Sequence, residues 1–459
     1  MKMFCQEATE NMYYKDDIGV NMSFISSLAK GTLILTSASF ISKLLGFFHR
    51  IFLSQIFSAE EIGIYQLIIP VFTLCCSITT AGFQTALSKL TASHIAFSRK
   101  DNAISSLKTA LFYCISLSII FLLILQSNAD YIALNFLNDP RCSTLIIALS
   151  YVLPFSSIHS CITGYYLGLQ KTFPIANSQL IEQIVRVLSI FLLYKIGLHN
   201  SFDEPICIAI LGLILGEIFS SLYCIHTLKG KHFLIKKPLH HYIHDSKSLF
   251  LLALPLTINR LLLNAFQSYE AISIPKMLCY SGLARNESLA LYGVLTGMAF
   301  PCIFFPSALT NSLSALSLTT VASLSASKNV SNLHRFCKKI IYICFFVGIT
   351  CMLFFFFFGN ILGNILFNNH VAGNFLQTLS FICPFIYLNS ALLNIINGFG
   401  KTHYVLFINI IGLLIRIAAV FLLIPPFQMK GYLWGLLISQ IIITCLSYST
   451  YRFLITASS

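Results

Sequence analysis

The chain has 459 residues, of which 56% are hydrophobic and 10% are charged, and its mean hydropathy is +0.80. Soluble domains carry about 25% charged residues, so this composition excludes a soluble globule. The net charge of +13 does not indicate a nucleic-acid partner, because the basic residues are spread over many loops and not gathered on a soluble domain.

Residues 1–28 form a polar tail that lacks the basic-then-apolar order of a cleaved signal peptide, and either Met1 or Met22 could begin the chain. Continuous apolar runs of helix length follow, without the alternation of a transmembrane β-barrel. We therefore predict an all-α polytopic membrane protein with twelve spans, at 29–54, 62–90, 104–127, 142–169, 175–197, 206–228, 248–275, 289–325, 337–358, 374–399, 404–424 and 431–452.

The loop charges predict the orientation of these spans. With the N-terminus inside, the inner loops and the C-terminus carry fifteen Lys and Arg residues, and the outer loops carry five, namely Arg141, Lys195, Lys276, Arg285 and Lys430. By the positive-inside rule, we expect a multi-pass protein of the cytoplasmic membrane with both termini in the cytoplasm.

An internal repeat is visible in three places. Lys171-Thr172 is followed by Arg186 as Lys401-Thr402 is followed by Arg416, at an offset of 230 residues. Residues 41–45 also match residues 258–262, and Tyr65 matches Tyr292. The repeat predicts two parallel six-helix bundles, at 29–228 and 248–459, joined by a basic cytoplasmic linker at 229–247.

Charged residues inside the spans give the candidate binding site, because each costs about 2.5–3.5 kcal/mol at the bilayer centre on insertion scales. Lys43 and Arg50 share one face of the first span. The repeat places Arg260, Asn264 and Gln267 on the matching face of the seventh. We expect these faces to meet in a cationic cavity for an anionic headgroup such as pyrophosphate, which arginine grips bidentately.

Five further charged residues in the spans are candidates for an ion pair or a coupling role: Glu182, Arg186, Glu217, Glu270 and Arg416. Arg186 lies four residues after Glu182, a spacing that also fits a structural ion pair within one helix. Arg416 has Gly412 at that position instead, which leaves substrate contact open. Glu270 is a candidate either for neutralising Arg260 or for binding a coupling cation.

No metal, cofactor or enzymatic activity is expected. The 15 cysteines have no metal-ligand spacing and are expected to be buried free thiols, and His240, His241 and His244 lie in a basic loop without acidic ligands. No nucleotide-binding loop or nucleophile elbow is found. A membrane glycosyltransferase or polymerase is the alternative of another class, and it would have to use the unpatterned Asp130, Asp139, Asp203 or Glu204.

Four segments, at 167–187, 292–313, 397–417 and 430–440, resemble the sporulation members of the polysaccharide and oligosaccharidyl-lipid flippase branch of the multidrug/oligosaccharidyl-lipid/polysaccharide exporter superfamily. This resemblance extends from Lys30 to Arg452. It implies a MATE-like helical fold that flips a polyprenyl-pyrophosphate-linked oligosaccharide, such as the peptidoglycan precursor of the spore cortex, by alternating access. Membrane lipids and cell-wall synthesis proteins are the implied partners.

The resemblance is incomplete in the first span, where His49 stands in the place of the second arginine of the lipid II flippases. This departure leaves the exact headgroup open. The main alternative to a flippase is a cation-coupled, MATE-like exporter of small amphipathic molecules. Such an exporter should line its cavity with acidic residues, for which Glu217 and Glu270 are the candidates. The sugar, the energy source and the oligomeric state stay open.

Overall fold

The computed structural model describes residues 34–197, 205–228, 239–326 and 330–458. The predicted tail at 1–28 and most of the predicted linker lie outside these ranges. Helices make up 91% of the structure, and the described residues contain no strand. The predicted all-α class is confirmed.

The described residues form helices that we number α1 to α12 along the chain. They are α1 (34–56), α2 (Ala59–Ala96), α3 (Lys100–Ser127), α4 (Cys142–Gly168), α5 (Thr172–Lys195), α6 (Cys207–Thr227), α7 (Leu239–Tyr280), α8 (Arg285–Phe304 with Ser307–Ala326), α9 (Val330–Phe367), α10 (His370–Ser380 with Cys383–Gly398), α11 (402–427) and α12 (429–458).

Nine continuous helices of the described ranges are long and apolar enough to cross a membrane, and the bent pair in α10 makes ten. The helical segment Thr402–Ser458 is broken at Gln428, whose φ of 52° is not helical, directly after Pro425 and Pro426. Each proline lacks the N–H that a helix interior needs, so the chain turns there and supplies two spans. With α1, the number agrees with the predicted twelve.

Two of the helices contain a π-helical segment, Ser77–Ala81 in α2 and Val294–Ala299 in α8. A π-turn widens the helix and leaves backbone carbonyl groups without their usual partner, and such turns are frequent at functional sites. Helix α8 is additionally broken between Phe304 and Ser307, next to Pro306.

Matching glycines pack in the same way in the two halves, as a structural repeat requires. A Cβ on Gly168 of α4 would lie 2.5 Å from the Ser88 carbonyl oxygen of α2, and one on Gly398 of α10 would lie 2.9 Å from the Leu318 carbonyl oxygen of α8. Both pairs are related by the predicted offset of 230 residues. The repeat found in the sequence therefore corresponds to equivalent close helix contacts.

Helix α7 contacts both bundles. Near its start it packs on α2, where a Cβ on Gly82 would lie 2.6 Å from the Ala253 carbonyl oxygen. Further along, Ser268 donates to the carbonyl oxygen of Pro70 in α2, whereas Glu270 contacts α11 and α12. The first helix of the second repeat is thus packed against the first repeat as well as its own.

Candidate functional site

A cavity of about 730 Å³ lies between the two bundles, with walls from α1, α2, α5 and α8. Its volume is in the range of about 300–1,000 Å³ that is usual for small-ligand sites. The polar and charged lining residues are Ser42, Lys43, His49, Arg50, Tyr65, Gln66, Gln183, Arg186, Tyr292, Thr296, Ser307 and Asn311. This cavity is the candidate functional site.

The charge of the cavity has one sign. Lys43 and Arg50 reach it from α1 and Arg186 reaches it from α5, and of the described residues that line it none is Asp or Glu. A chamber with several fixed cations attracts anions strongly, because the surrounding protein has a low dielectric constant and screens the charges poorly. The cavity is therefore suited to an anionic group.

Arg50 also connects the two halves across the cavity. Its Nη1 donates a hydrogen bond of 3.3 Å to the carbonyl oxygen of Thr296. That carbonyl lies within the π-helical segment of α8, where the backbone is less regularly paired. Beside it, the rings of Phe47 in α1 and Phe305 stack with centroids 4.9 Å apart. The guanidinium and the aromatic pair together join α1 to α8.

On the predicted outer side, a seam between α2 and α8 closes the cavity. A Cβ on Gly63 would lie 2.1 Å from the carbonyl oxygen of Leu289, and one on Gly293 would lie 2.2 Å from the carbonyl oxygen of Ala59. Real Cβ atoms do not approach so closely, so only glycine permits this contact. The outer exit cannot open without separating the seam.

Charged residues add a second closure at the same end. Arg285 of the second half donates a 2.6 Å hydrogen bond to the Leu137 carbonyl oxygen of the first half, and its Nε lies 3.8 Å from Asp139. Arg141 binds Asp139 at 3.0 Å and Glu60 at 2.6 Å. Hydrogen bonding to Asp139 raises the pKa of Arg141 above its ordinary value, with a further contribution from Glu60.

The predicted site residues of α7 do not line this cavity. Arg260 and Gln267 are exposed, and Asn264 donates to the Ser77 hydroxyl of α2. The second half contributes α8 as its wall, whereas α7 packs along α2 at Gly82. The structure therefore brings Lys43 and Arg50 together with Arg186, and not with the matching face of α7.

The pattern of charges did not point to α2 and α8 as cavity walls. Tyr65 and Tyr292 both line the cavity, and they are one of the three pairs that define the repeat. A polar residue that recurs at matching positions of the two repeats was therefore the sequence feature that indicated these cavity walls. Gln66, Thr296 and Asn311 carried no such indication.

Glu270 pairs with Arg416 and not with Arg260. Arg416 Nη2 lies 2.8 Å from Glu270 Oε2, and the Tyr432 hydroxyl donates to Glu270 Oε1 at 2.8 Å. The Glu270 side chain is only 6% exposed. The two carboxylate oxygens are both occupied, so the group is neutralised within the second bundle by α11 and α12.

Arg186, the repeat partner of Arg416, is held differently. It forms the predicted ion pair with Glu182 on its own helix. Glu182 in turn lies beside Glu217 of α6 and His159 of α4, and one nitrogen or oxygen atom of each of these three residues lies within 4.8 Å of the other two. His159 was not predicted, and it completes a group of three ionisable side chains inside the first bundle.

The residues considered for enzymatic chemistry are engaged elsewhere or lie outside the described ranges. Asp130 accepts a hydrogen bond from Ser143, and Asp139 is ion-paired with Arg141. Asp203 and Glu204 fall outside the described residues, as do the side chains of His240, His241 and His244. The cysteines of the described ranges are free and mostly buried, as predicted.

Comparison with known proteins gives one matching family model over more than half of the chain, described as polysaccharide biosynthesis protein, at residues 28–294. A second model, described as MatE, matches residues 255–422. The chain is 26% identical to stage V sporulation protein B of Bacillus subtilis, over 92% of this chain and 83% of that protein.

Two further comparisons bear on the site and the fold. The chain is 27% identical to the lipid II flippase MurJ of Bacillus subtilis over 43% of this chain and 39% of that protein. The fold is similar to the inward-facing conformation of a multidrug resistance MATE family transporter of the MOP superfamily, with a TM-score of 0.75 and 15% identity, over 91% of this chain and 95% of that chain. The predicted MATE-like fold is confirmed.

Proposed function

The chain belongs to the polysaccharide biosynthesis protein family of the multidrug/oligosaccharidyl-lipid/polysaccharide superfamily, and from this premise we propose that it flips a polyprenyl-pyrophosphate-linked oligosaccharide across the cytoplasmic membrane. Membership in this superfamily makes it a membrane transporter and not an enzyme, as the sequence predicted. The peptidoglycan precursor of the spore cortex is the substrate we favour, since stage V sporulation protein B is similar over most of both chains.

The observation that carries this proposal is the unbalanced charge of the cavity. Lys43, Arg50 and Arg186 face a chamber whose described lining contains no carboxylate. A pyrophosphate has the charge and the oxygen spacing to be gripped bidentately by arginine. The amide groups of Gln66, Gln183 and Asn311 lie on the same walls and are suited to hydroxyl groups of a sugar.

Alternating access would follow from the arrangement of the seams. In the conformation described, α2 and α8 are sealed on the predicted outer side by Gly63 and Gly293. The headgroup would enter from the cytoplasmic side while the polyprenyl tail stays in the lipid, and separation of the glycine seam would then release it outside. Arg260 and Gln267 would act at a later stage, when α7 has moved relative to α2.

The alternative, a cation-coupled exporter of small amphipathic molecules, needs acidic groups in the chamber. Glu270 is neutralised by Arg416 and Glu217 contacts His159, and neither lines the cavity. A cationic drug would therefore meet three like charges, which disfavours its binding. The lining supports an anionic substrate.

Reconstitution tests the proposal directly. Proteoliposomes would be loaded with fluorescently labelled lipid II, and its movement would be followed by quenching of the label from outside, with and without an imposed membrane potential. Transfer of lipid II above the rate of empty liposomes is expected. Transfer of a labelled cationic drug in the absence of lipid II transfer would reject the flippase in favour of the exporter.

Orientation and partners are proposed as well. We propose that both termini lie in the cytoplasm, which protease protection of terminal tags in inverted vesicles would report. Cell-wall synthesis proteins that polymerise the flipped precursor are the proposed partners, because they remove the product on the outer side and keep the flux directed.

A further inference from the structure

A group of ionisable residues lies inside the first bundle, behind the cavity wall. His159 of α4 is buried, and its Nδ1 lies 3.2 Å from Glu217 Oε2 of α6. Glu182 of α5 completes the group and also pairs with Arg186, which lines the cavity. Four charged or ionisable side chains thus form a continuous path from the chamber into the bundle.

Hydrogen-bond geometry favours a protonated His159. The Ser178 hydroxyl lies 3.1 Å from Nε2 but donates its hydrogen to the Ile175 carbonyl oxygen, so it presents an acceptor to the imidazole. Ser220 lies 3.3 Å from Nδ1 and donates in the same way to the carbonyl oxygen of Glu217. Because oxygen atoms that can accept lie at both nitrogens, the imidazole is fully paired when it carries a hydrogen on each.

Charge balance leads to the same state. Arg186 contributes one positive charge, and Glu182 and Glu217 contribute two negative charges, so a neutral His159 would leave one uncompensated negative charge inside the membrane. Isolated charges at that depth are costly. A protonated His159 makes the group neutral. The other titratable groups that face it, Cys76 of α2 and Cys224 of α6, are thiols.

We propose that His159, Glu182 and Glu217 form a proton-binding site whose occupancy is linked to anion binding at Arg186. With the proton bound, the path from His159 to Arg186 is neutral and Arg186 retains its attraction for an anion. Without the proton, the four side chains of His159, Glu182, Glu217 and Arg186 together carry a net charge of −1 at the cavity wall, and this charge repels the substrate. Proton and anion therefore bind with positive linkage, and each strengthens the binding of the other.

This linkage rests on the proposed function, because it assumes that the cavity takes a pyrophosphate group. It differs from an exchange mechanism, in which the cation and the substrate compete for one site. On α1, Arg50 lines the same cavity as Arg186, so it adds to the attraction for an anion and does not replace the proton. His49 of α1 is buried beside these two arginines.

Nitrogen-15 NMR of histidine-labelled protein in nanodiscs tests the protonation state. At pH 7.5 exposed imidazoles, with ordinary pKa values of about 6.5, are mostly neutral. One imidazolium resonance should remain in the wild-type protein and be absent from H159Q, whereas H370Q, which changes an exposed histidine, should keep it. Absence of any imidazolium resonance in the folded wild-type protein would overturn the proposal, as would its loss on adding sodium chloride but not choline chloride.

Binding of inorganic pyrophosphate, measured by calorimetry in two buffers of different ionisation enthalpy, tests the linkage. At a pH where the imidazolium resonance of the free protein has fallen to half its intensity, wild-type protein should take up protons as pyrophosphate binds. H159Q should bind it more weakly, on the order of tenfold, and without that uptake, and H370Q should behave as wild type. Binding without proton uptake would overturn the linkage and leave the flippase proposal intact. No binding by either protein would count against the cationic cavity itself.

Discussion

The Arg50 guanidinium of the first bundle donates a 3.3 Å hydrogen bond to the Thr296 carbonyl oxygen of the second bundle, across the floor of the cationic cavity. Only one of the five N–H donors of the guanidinium is used on this carbonyl, so the others remain for an anionic headgroup. The same side chain can thus contact the substrate and the second half together. This relationship connects the occupant of the cavity to the contact between the halves.

The first prediction concerns Arg50 itself. R50A should weaken binding of a pyrophosphate-linked lipid by about thirtyfold or more, because loss of one buried, charge-assisted contact costs about 2 kcal/mol or more. Lipid-binding assays in nanodiscs, such as microscale thermophoresis, would measure this change in affinity. R452A, at an exposed arginine of α12, is the matched control and should bind as wild type. Equal affinity of R50A and R452A would contradict the assigned site.

A second prediction separates Arg260 from the cavity. Among the described residues no side-chain partner of Arg260 is found, and it does not line the chamber. R260A should therefore leave the affinity for the lipid within about twofold of wild type. It should lower the rate of flipping at least about tenfold, because a contact worth about 1.4 kcal/mol is lost in a later state of the transport cycle. Reduced affinity with unchanged flipping per bound lipid would reverse the assignment.

The glycine seam gives a third prediction. G293A places a methyl group 2.2 Å from the Ala59 carbonyl oxygen and should destabilise the sealed conformation by about 1–3 kcal/mol. Hydrogen exchange at 59–66 and 285–297 should rise. In G46A the new methyl group would meet only Gln183 Oε1, at 3.8 Å, so thermal stability should be unchanged or slightly higher. Unchanged exchange in G293A would refute a seam that depends on glycine.

The buried pair of Glu270 and Arg416 gives the fourth prediction. E270Q should lower stability by about 3 kcal/mol, because it leaves the Arg416 charge without its partner in the bundle. The double variant E270Q/R416Q removes both charges and should recover most of that loss in denaturant unfolding of the purified protein. If the loss of unfolding free energy in the double variant equals the sum of the losses in the two single variants, Glu270 does not act through Arg416. A coupling role for Glu270 would then be supported.

The sequence by itself determined the class of this protein. Its apolar runs can satisfy their backbone groups in lipid only as helices, so length and hydropathy predicted the twelve spans. The offset of 230 residues predicted the repeat, and the structure shows equivalent packing of Gly168 and Gly398 at that offset, since homologous segments keep their close contacts. The spacing of Glu182 and Arg186 predicted their pairing, because residues four apart are neighbours on a helix.

Only the tertiary structure decided which charges share a chamber. Periodicity predicts that Lys43 and Arg50 lie on one face of a helix, but not which helices complete the cavity. In the structure α7 packs on α2 at Gly82, and α8 supplies a wall of the cavity. Likewise, Glu270 meets Arg416 and His159 meets Glu217 through contacts between residues distant in the chain. Such pairings depend on how helices pack in three dimensions, and a single sequence does not record that packing.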